Sequence, residues 1–425
     1  MSADDNDTPP ARVVEVVATD TGFALHRDGE PYVIHGVGGN MSAAALDLLV
    51  KHGGNSTRTW GVGADTRAAL DRAHERGLTT TVGFWFPHQN DDVDYADPQV
   101  RERVRESVRR GVLELRDHPA VLIWALGNEM EHGVEDRATL YRFVNDVALM
   151  VKRLDPHRPV MTVIADVGGD KVSAIHEHAP AIDIVGINSY AGAATVARRY
   201  REAGGTKPYI LTEFGPIGPW ESATTTFDAA IEPTSTQKAD QYRKHYERAV
   251  ANELGQLCLG SYAFLWGHKQ ESTATWFGLF RPYVPEGESI QTHAAVDVMQ
   301  ELWTGVAPAP TAPVIAPLAL DADVVTPGQP MAARFTVTDP NGDPLDLHWE
   351  IRHDTLEVAT MGASRPVDQL EPTEFNLALD RPGVITFMAP GKPGFFRLYL
   401  YATDGKGRFA SANAPFHVAK DAPTP

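Results

Sequence analysis

Between Gly22 and Thr304 the chain alternates short apolar runs with longer stretches of helical periodicity. Eight short runs are rich in β-branched and aromatic residues, and several are almost continuously apolar, which is typical of parallel strands buried on both faces. The stretches between them place apolar residues at helical spacing opposite a polar face. The predicted strands are Tyr32–Gly36, Ser56–Trp60, Thr79–Phe86, Val121–Leu126, Val160–Ile164, Ile182–Asn188, Tyr209–Thr212 and Gly260–Trp266.

This alternation predicts an α/β fold, and specifically a (β/α)₈ TIM barrel over residues 12–305. Eight β/α repeats within roughly 280 residues match the usual size of such a barrel. The competing α/β architecture is a doubly wound open sheet, which commonly binds a nucleotide through a glycine-rich motif after its first strand. Neither GxGxxG nor GxxxxGK[ST] follows the first predicted strand here, so the closed barrel is favoured.

The pattern changes after residue 305. A Pro/Ala-rich stretch over residues 306–316 predicts an extended linker, because clustered prolines stiffen a chain. Over residues 317–420, short alternating strands separated by turn residues predict a small all-β immunoglobulin-like sandwich. Its predicted strands are Met331–Val337, Leu347–His353, Gly383–Met388 and Phe395–Ala402. At the other end, residues 1–11 are polar and are predicted to be flexible.

Charge and composition restrict the classes of partner. A formal net charge of −18 opposes binding to nucleic acid, anionic membranes or polyanions, and it suits a neutral oligosaccharide or polysaccharide. The single cysteine, Cys258, cannot form an intramolecular disulfide. No apolar run has the length of a membrane span. The acidic N-terminus is compatible with a cytoplasmic protein, or with a secreted or periplasmic one whose signal was removed. The oligomeric state is left open.

Two of the apolar strands are followed by a glutamate. Glu129 comes just after Val121–Leu126, and Glu213 directly follows Tyr209–Thr212. The C-terminal ends of barrel strands form the active site of this fold, and a carboxylate there is otherwise costly to bury. Two carboxyl groups about 5 Å apart cleave a glycosidic bond with retention of configuration. Arg58, near the end of the second predicted strand, is expected to keep Glu213 ionised. Low polarity and the other negative charge are expected to keep the acid, Glu129, protonated.

The residues around both glutamates resemble one known family. His118–Glu129 resembles the acid/base motif of clan A glycoside hydrolases, and it is closest to the TIM-barrel catalytic domain of glycoside hydrolase family 2. Leu211–Gly215 is similar to that family's nucleophile motif, and Phe23–Val37 resembles the start of its barrel. The β-sandwich domains that usually precede the barrel in this family are not in the sequence. The compact barrel also resembles family 5 endoglucanases and β-1,3-glucanosyltransferases, which leaves the substrate open.

The resemblance implies a role for each of several residues. Glu129 would be the acid/base and Glu213 the nucleophile of a retaining β-glycosidase that works by double displacement. Asn128 would contact the sugar 2-hydroxyl, Tyr190 would donate a hydrogen bond to the nucleophile, and Trp266 would form the floor of the sugar subsite. This chemistry requires neither a metal nor another cofactor.

Other residues near strand ends extend the predicted sugar-binding site. Flat aromatic side chains suit the apolar faces of sugar rings, and a few polar groups fix the hydroxyls. These further candidates are Trp60, Trp85, His88, Trp220, Lys269 and Glu271. The number of aromatic residues favours a β-glucan or a related β-linked oligosaccharide. Two alternatives stay open, namely a β-glucan transglycosylase of the same fold and a catalytically inactive carbohydrate-binding protein.

Overall fold

A computed structural model describes residues 12–88, 93–284, 289–354, 356, 372, 373 and 377–420, so the predicted flexible segment 1–11 lies outside the described residues. The chain divides into two compact units. The first comprises residues 1–50, 54–213 and 247–262, and the second comprises residues 51–53, 214–246 and 263–425. In the described part of the chain, no helix is both long and apolar enough to cross a membrane.

A small antiparallel sheet precedes the barrel. It consists of β1 (Val14–Ala18), β2 (Phe23–Arg27) and β3 (Glu30–Pro31), and it pairs Val14 with Arg27 at one end. The sequence pattern did not predict this sheet. Its strands are short and mostly half-buried or exposed, so they lack the continuous apolar character that marks the barrel strands.

Eight parallel strands close into a barrel, as the sequence predicted. In chain order they are β4 (Ile34–Gly39), β5 (Ser56–Arg58), β6 (Thr79–Phe84), β7 (Val121–Leu126), β8 (Val160–Ala165), β9 (Ile184–Asn188), β10 (Tyr209–Phe214) and β11 (Cys258–Trp266). Neighbours around the barrel follow the order β10-β11-β4-β5-β6-β7-β8-β9. Each strand is thus hydrogen-bonded to the next one in the chain, which brings the strand ends that carry Glu129 and Glu213 to one rim.

A helix follows each barrel strand. The helices are α1 (Ala43–Lys51), α2 (Thr66–His74), α3 (Pro98–Leu115), α4 (Arg137–Leu154), α5 (Lys171–His178), α6 (Val196–Glu202), α7 (Ser235–Ala249) and α8 (Ala294–Thr304). Helix α3 shows why they form. Asp97 accepts a hydrogen bond from the Gln99 backbone at the N-terminus, and Val104 and Val108 lie on its buried face one turn apart.

The apolar strands pack into one barrel core. Every residue of β7, β8 and β9 is buried, as expected for strands covered on both faces. Ile123, Val163 and Ile184 belong to a cluster of buried side chains that also includes Leu25 of the N-terminal sheet. Each such side chain contributes about 1.5–3 kcal/mol by leaving water. The continuous apolar runs therefore fix the strands whose ends carry the candidate site.

The C-terminal part of the second unit contains two packed sheets. One has the order β13-β15-β20-β19 and the other β14-β22-β21-β17-β18, with a shared apolar core that includes Phe387 and Phe416. The four predicted strands agree with observed ones within a few residues, whereas the strand Leu377–Arg381, the last strand and several two-residue strands were not predicted. The strands are β12 (Val314–Ile315), β13 (Ala319–Leu320), β14 (Val324–Val325), β15 (Pro330–Arg334), β16 (Val337–Thr338), β17 (Asp346–His353), β18 (Pro372–Thr373), β19 (Leu377–Arg381), β20 (Val384–Met388), β21 (Gly394–Thr403) and β22 (Phe409–Val418).

A buried polar cluster supports β7, the strand that leads to Glu129. The Trp124 indole N–H donates to Asp155 Oδ2 over 2.8 Å, and Arg158 Nη1 donates to the same oxygen over 2.8 Å. Arg158 Nε also donates to the backbone carbonyl of Val121, over 3.0 Å. Because Asp155 and Arg158 are 2% and 4% exposed, each of these charges depends on the other for compensation.

Replacing Asp155 with alanine should lower the free energy of unfolding by about 3–5 kcal/mol, because it leaves the Arg158 guanidinium buried without its carboxylate. Urea denaturation followed by circular dichroism measures this change. Asp117→Ala is the matched control, since the Asp117 side chain is 75% exposed, and it should change stability by less than about 0.5 kcal/mol. Equal effects of the two substitutions would show that the cluster is not a stabilising one.

Candidate active site

Glu129 lies in a tight turn that follows β7. Its φ is 53°, and that of Gly127 is 72°, so both residues occupy the left-handed region of backbone conformation. That region costs a residue with a side chain about 1–2 kcal/mol. A Cβ at position 127 would also lie 2.0 Å from the Met130 sulfur, so the Met130 side chain would have to move to make space for it. The Glu129 backbone N–H donates to the Val163 carbonyl over 3.0 Å, which ties the turn to β8.

A second buried glutamate anchors the same turn. Glu131 is 2% exposed, and its Oε1 accepts a hydrogen bond from the Ala165 backbone over 2.7 Å. Lys171 Nζ lies 3.5 Å from the same oxygen. Burial raises the pKa of Glu131, and the Lys171 charge opposes this rise. Glu131 therefore fastens the turn that carries Glu129 to the residues that end β8 and begin α5.

Glu213 lies near the end of β10 and is surrounded by hydrogen-bond donors. Its Oε1 accepts hydrogen bonds from Arg58 Nη1 over 2.9 Å and from the Trp60 indole N–H over 2.7 Å. Its Oε2 accepts one from the Tyr190 hydroxyl over 2.8 Å. Glu213 is only 6% exposed, so these donors replace the water that an ionised carboxylate would otherwise bind. The site thus holds one carboxylate with a buried cation and two neutral donors.

Two glycines allow the segment that carries Trp60 to lie close to the barrel. A Cβ on Gly38 of β4 would lie 2.7 Å from the Trp60 ring, and one on Gly83 of β6 would lie 2.2 Å from the Thr59 carbonyl oxygen. Glycine inside a strand commonly marks such a close approach. Trp60 was predicted to be an aromatic sugar-binding residue, whereas its N–H contact with Glu213 was not predicted. Its contact with sugar stays a prediction.

A continuous chain of hydrogen bonds joins the two glutamates. Arg58 Nη2 donates to Asn128 Oδ1 over 2.7 Å, and Asn188 Nδ2 lies 3.1 Å from the same oxygen. Asn188 Nδ2 also donates to Glu129 Oε1 over 2.7 Å. Asn188 was not among the residues selected from the sequence, although it is a polar residue that ends the apolar strand β9. The predicted contact of Asn128 with a sugar hydroxyl stays a prediction.

The two carboxyl groups have opposite pKa shifts. Burial raises the pKa of Glu213; Arg58 opposes this, and the negative charge of Glu129 adds to it. Burial also acts to raise the pKa of Glu129, but contacts with His132 and Asn188 outweigh it, so that this pKa is lowered. Arg58 was expected to keep Glu213 ionised, but burial outweighs the effect of its charge on the Glu213 pKa. Low polarity and the other negative charge were expected to keep Glu129 protonated. The structure differs because His132, which was not selected, has its Nε2 3.4 Å from Glu129 Oε2.

Trp85 and His88 lie beside the turn that carries Glu129. The two rings stack with centroids 4.9 Å apart and planes inclined by 24°. His88 Nε2 lies 2.8 Å from the Asn128 carbonyl oxygen, which connects this stack to the end of β7. His88 is buried, whereas Trp85 is 45% exposed. The structure therefore leaves a large aromatic ring open to solvent next to the candidate acid/base.

The other predicted sugar-binding residues belong to the second unit. Trp266 is buried and packs edge-on against Phe280, with ring centroids 4.9 Å apart. Trp220 is half-buried, and Lys269 forms a 2.8 Å ion pair with Glu271. Their roles in sugar binding stay predictions. Among the residues that the structure describes, no cluster of three or more His, Cys, Asp or Glu could hold a metal ion.

The match to a known family includes both glutamates. Residues 70–219 match the family described as glycosyl hydrolases family 2, TIM barrel domain. The barrel is similar to the TIM-barrel catalytic domain of glycoside hydrolase family 2. The resemblance found from the sequence motifs is thereby confirmed for the barrel domain.

Relatives to which this chain is similar differ in the substrates for which they are named. Beta-galactosidase 2 of Enterobacter cloacae is 30% identical over 181 residues, which are 36% of this chain and 16% of that protein. A beta-glucuronidase of Paenibacillus borealis is 27% identical over 219 residues, which are 46% of this chain and 34% of that protein. A solved beta-D-glucuronidase from Dictyoglomus thermophilum shares the fold, with a TM-score of 0.53 at 18% identity over 69% of this chain and 54% of that one. The chain thus spans about a third or less of these two curated relatives.

Replacing each glutamate with glutamine should change the pH dependence of stability in opposite directions. Because the pKa of Glu213 is raised on folding, its ionisation destabilises the fold as pH rises above about 4, and Glu213→Gln removes that cost. The stability of this variant relative to wild type should therefore increase with pH. Because the pKa of Glu129 is lowered, its ionised form stabilises the fold, and this contribution is lost as pH falls below about 5. The relative stability of Glu129→Gln should therefore decrease with rising pH.

Urea denaturation at several pH values between about 3 and 6 tests both slopes, because the contribution of Glu129 with its lowered pKa changes in the acid part of this range. Glu102→Gln is the matched control, because the side chain of Glu102 is 65% exposed on α3, and its relative stability should stay nearly constant. Slopes of the same sign for the two site variants would contradict the assigned pKa directions.

Proposed function

We propose that this chain is a retaining β-glycoside hydrolase in which Glu213 is the nucleophile and Glu129 the acid/base. The observation that carries the proposal is the asymmetry between two buried carboxyl groups linked by one hydrogen-bond chain. Glu213 faces the Arg58 cation and two neutral donors, whereas Glu129 faces an amide and an imidazole. Such a division of environments suits one group to act as an anion and the other to exchange a proton.

In the first step, a Glu213 carboxylate oxygen attacks the anomeric carbon and forms a covalent ester bond with it. The bond between that carbon and the glycosidic oxygen breaks, and its electron pair stays on the departing oxygen. Glu129 delivers its proton to that oxygen, so that the leaving group departs as a neutral alcohol. Arg58, Trp60 and Tyr190 hold the attacking carboxylate in one orientation, which lowers the entropic part of the barrier.

In the second step, Glu129 accepts a proton from water as the water oxygen bonds to the anomeric carbon. The ester bond to Glu213 breaks, and its electron pair returns to the carboxylate. The three donors around Glu213 stabilise the negative charge that returns to its carboxylate. Preorganised donors contribute most where charge develops in this way. Two inversions at one carbon leave the product with the configuration of the substrate.

A neutral β-linked sugar, such as a β-glucan fragment, is the proposed substrate class. A net charge of −18 repels acidic polysaccharides at long range. Two cations near the glutamates already face carboxylates, because Arg58 bonds Glu213 and Lys171 lies beside Glu131. Because relatives are named for galactosides and glucuronides, a substrate panel should include both sugars.

Transglycosylation is a second candidate function, and the exposed ring of Trp85 favours it. An aromatic surface that stays open beside the acid/base suits the stacking of an acceptor sugar, which would then replace water in the second step. The stack with His88 holds the ring in one orientation and lowers the entropic cost of binding. Product analysis at high substrate concentration separates transfer from hydrolysis.

Hydrolysis of a panel of β-linked glucans, mannans, galactosides and glucuronides should release the β-anomer first, because double displacement retains configuration. Proton NMR during the first minutes, before mutarotation, detects this product. Initial formation of the α-anomer would contradict the covalent intermediate. Sugar binding without turnover on any member of the panel would favour a carbohydrate-binding protein, and longer oligosaccharides as the main products would favour the transglycosylase.

Glu213→Gln should lower kcat by on the order of 10³-fold or more, because an amide does not form the covalent intermediate. Steady-state kinetics on the best substrate of the panel measures the loss, and circular dichroism establishes that the variant is folded. Glu102→Gln, on the exposed face of α3, serves again as the control and should keep the wild-type kcat. Unchanged turnover in Glu213→Gln would remove this residue from the mechanism.

A further inference from the structure

His132 lies in the same turn as Glu129 and faces its carboxyl group. His132 Nε2 is 3.4 Å from Glu129 Oε2, and the His132 side chain is 22% exposed. Nε2 itself is buried, and it makes no well-formed hydrogen bond with any residue that the structure describes. Hydrogen bonds used in catalysis are often long in a substrate-free site and shorten when substrate binds. A buried ring nitrogen aimed at the acid/base is therefore placed to exchange a proton with it.

The charged and polar groups around this pair come from the turn itself, from α5, β9 and β5, and from β10, where Glu213 lies. The negative charge of Glu131, in the same turn, raises the pKa of His132, and the positive charge of Lys171 on α5 lowers it. On the other side of Glu129 lie Asn188, which donates to Oε1, and the more distant Arg58. The contact with Glu129 raises the pKa of His132 more than burial lowers it, and the contact lowers the pKa of Glu129 in return.

The lowered pKa of Glu129 raises a difficulty for a general acid, and the His132 contact that contributes to this lowering also resolves it. The acid/base must carry a proton in the first step, yet a carboxyl group with a lowered pKa is ionised at neutral pH. A neighbouring imidazole removes the difficulty, because it retains a proton at a pH where the carboxyl group alone would have lost it. The proton then stays within the pair and within reach of the glycosidic oxygen.

We propose that His132 and Glu129 share one proton and act as a single acid/base unit, in which His132 is a positioning residue that supplies the proton through Glu129. The inference rests on the proposed function of Glu129. Before the first step the pair carries one proton and no net charge. Transfer of that proton to the departing oxygen leaves neutral His132 and ionised Glu129, and the proton taken from water in the second step restores the pair.

The pH range of activity follows from this sharing. When two groups interact this closely, their protons are lost in steps that belong to the pair. Activity that needs the general acid is then lost at the pH at which the pair loses its last proton. That pH lies in the range where a histidine side chain titrates. Without the imidazole, the limit falls to that of a buried carboxyl group.

The test compares pH profiles of kcat/KM for wild type, His132→Gln and His157→Gln. The probes are phenyl and 2,4-dinitrophenyl β-glycosides of the sugar that the wild type hydrolyses. With the phenyl glycoside, His132→Gln should move the alkaline limb towards acid by about one pH unit or more, and should lower kcat/KM at pH 8 by at least about tenfold. With the dinitrophenyl glycoside, whose leaving group needs no proton, the loss should stay below about threefold. His157 is an exposed histidine of the same unit, and His157→Gln should leave both profiles unchanged.

Two kinetic outcomes would overturn the proposal. One is an unmoved alkaline limb in His132→Gln. The other is an equal loss of activity with both leaving groups at every pH, which is the behaviour expected if His132 only supports the turn.

A second measurement does not depend on turnover or on the stability of the His132 variant. NMR titration of the His132 imidazole in wild type and in Glu129→Gln should show a lower pKa in the variant, because the anionic partner is gone. An unchanged titration would contradict the shared proton. If the wild type hydrolyses nothing, or Glu213→Gln keeps full turnover, the proposed function itself fails. If the wild type hydrolyses a substrate and Glu213→Gln loses turnover, but the pH profile of His132→Gln matches that of the wild type, only the proposal of a shared proton is wrong.

Discussion

The buried ion pair between Arg58 and Glu213 is the interaction on which the arrangement of the site depends. Arg58 is 1% exposed, and besides Glu213 it donates to Asn128 and to the Thr212 carbonyl, over 2.7 Å and 3.0 Å respectively. One guanidinium group thus holds β10 and the turn after β7 at fixed positions relative to the end of β5. Removing one partner of such a pair costs about 3–5 kcal/mol, because the other charge stays buried without compensation. The ring of Trp60, 5.0 Å from the guanidinium carbon, limits the orientation of this cation further.

Much of the fold follows from periodicity. The barrel strands are continuous apolar runs, and both glutamates are polar residues at the ends of such runs, so both features are readable before any contact is known. The N-terminal sheet and strand β22 lack that signal. In β22 small residues and Pro415 interrupt the alternation, and its pairing with β21 along ten residues depends on packing against Phe396 and Leu398. Such tertiary stabilisation leaves little trace in local sequence.

The candidate site likewise contains residues whose positions are predictable from the sequence and contacts that are not. The positions of Glu129, Glu213 and Arg58 follow from the topology of the barrel, because the C-terminal strand ends share one rim. The contacts of Asn188 and His132 depend instead on side-chain direction and on a left-handed backbone, which no spacing rule specifies. The predicted protonation of Glu129 failed for this reason, since it considered burial and omitted a neighbour three residues away. Sugar identity depends on hydroxyl contacts that the sequence pattern does not encode.

The turn after β7 couples the position of the acid/base to its charge. Glu129 adopts a left-handed conformation that only the surrounding contacts make tolerable, and a turn of this kind brings residue 132 back towards residue 129. Glu131 holds the turn through the Ala165 backbone, while its own negative charge favours the protonated form of His132. The groups that fix the geometry of Glu129 are therefore also those that set its proton affinity. A change in the turn that alters one property is therefore expected to alter the other.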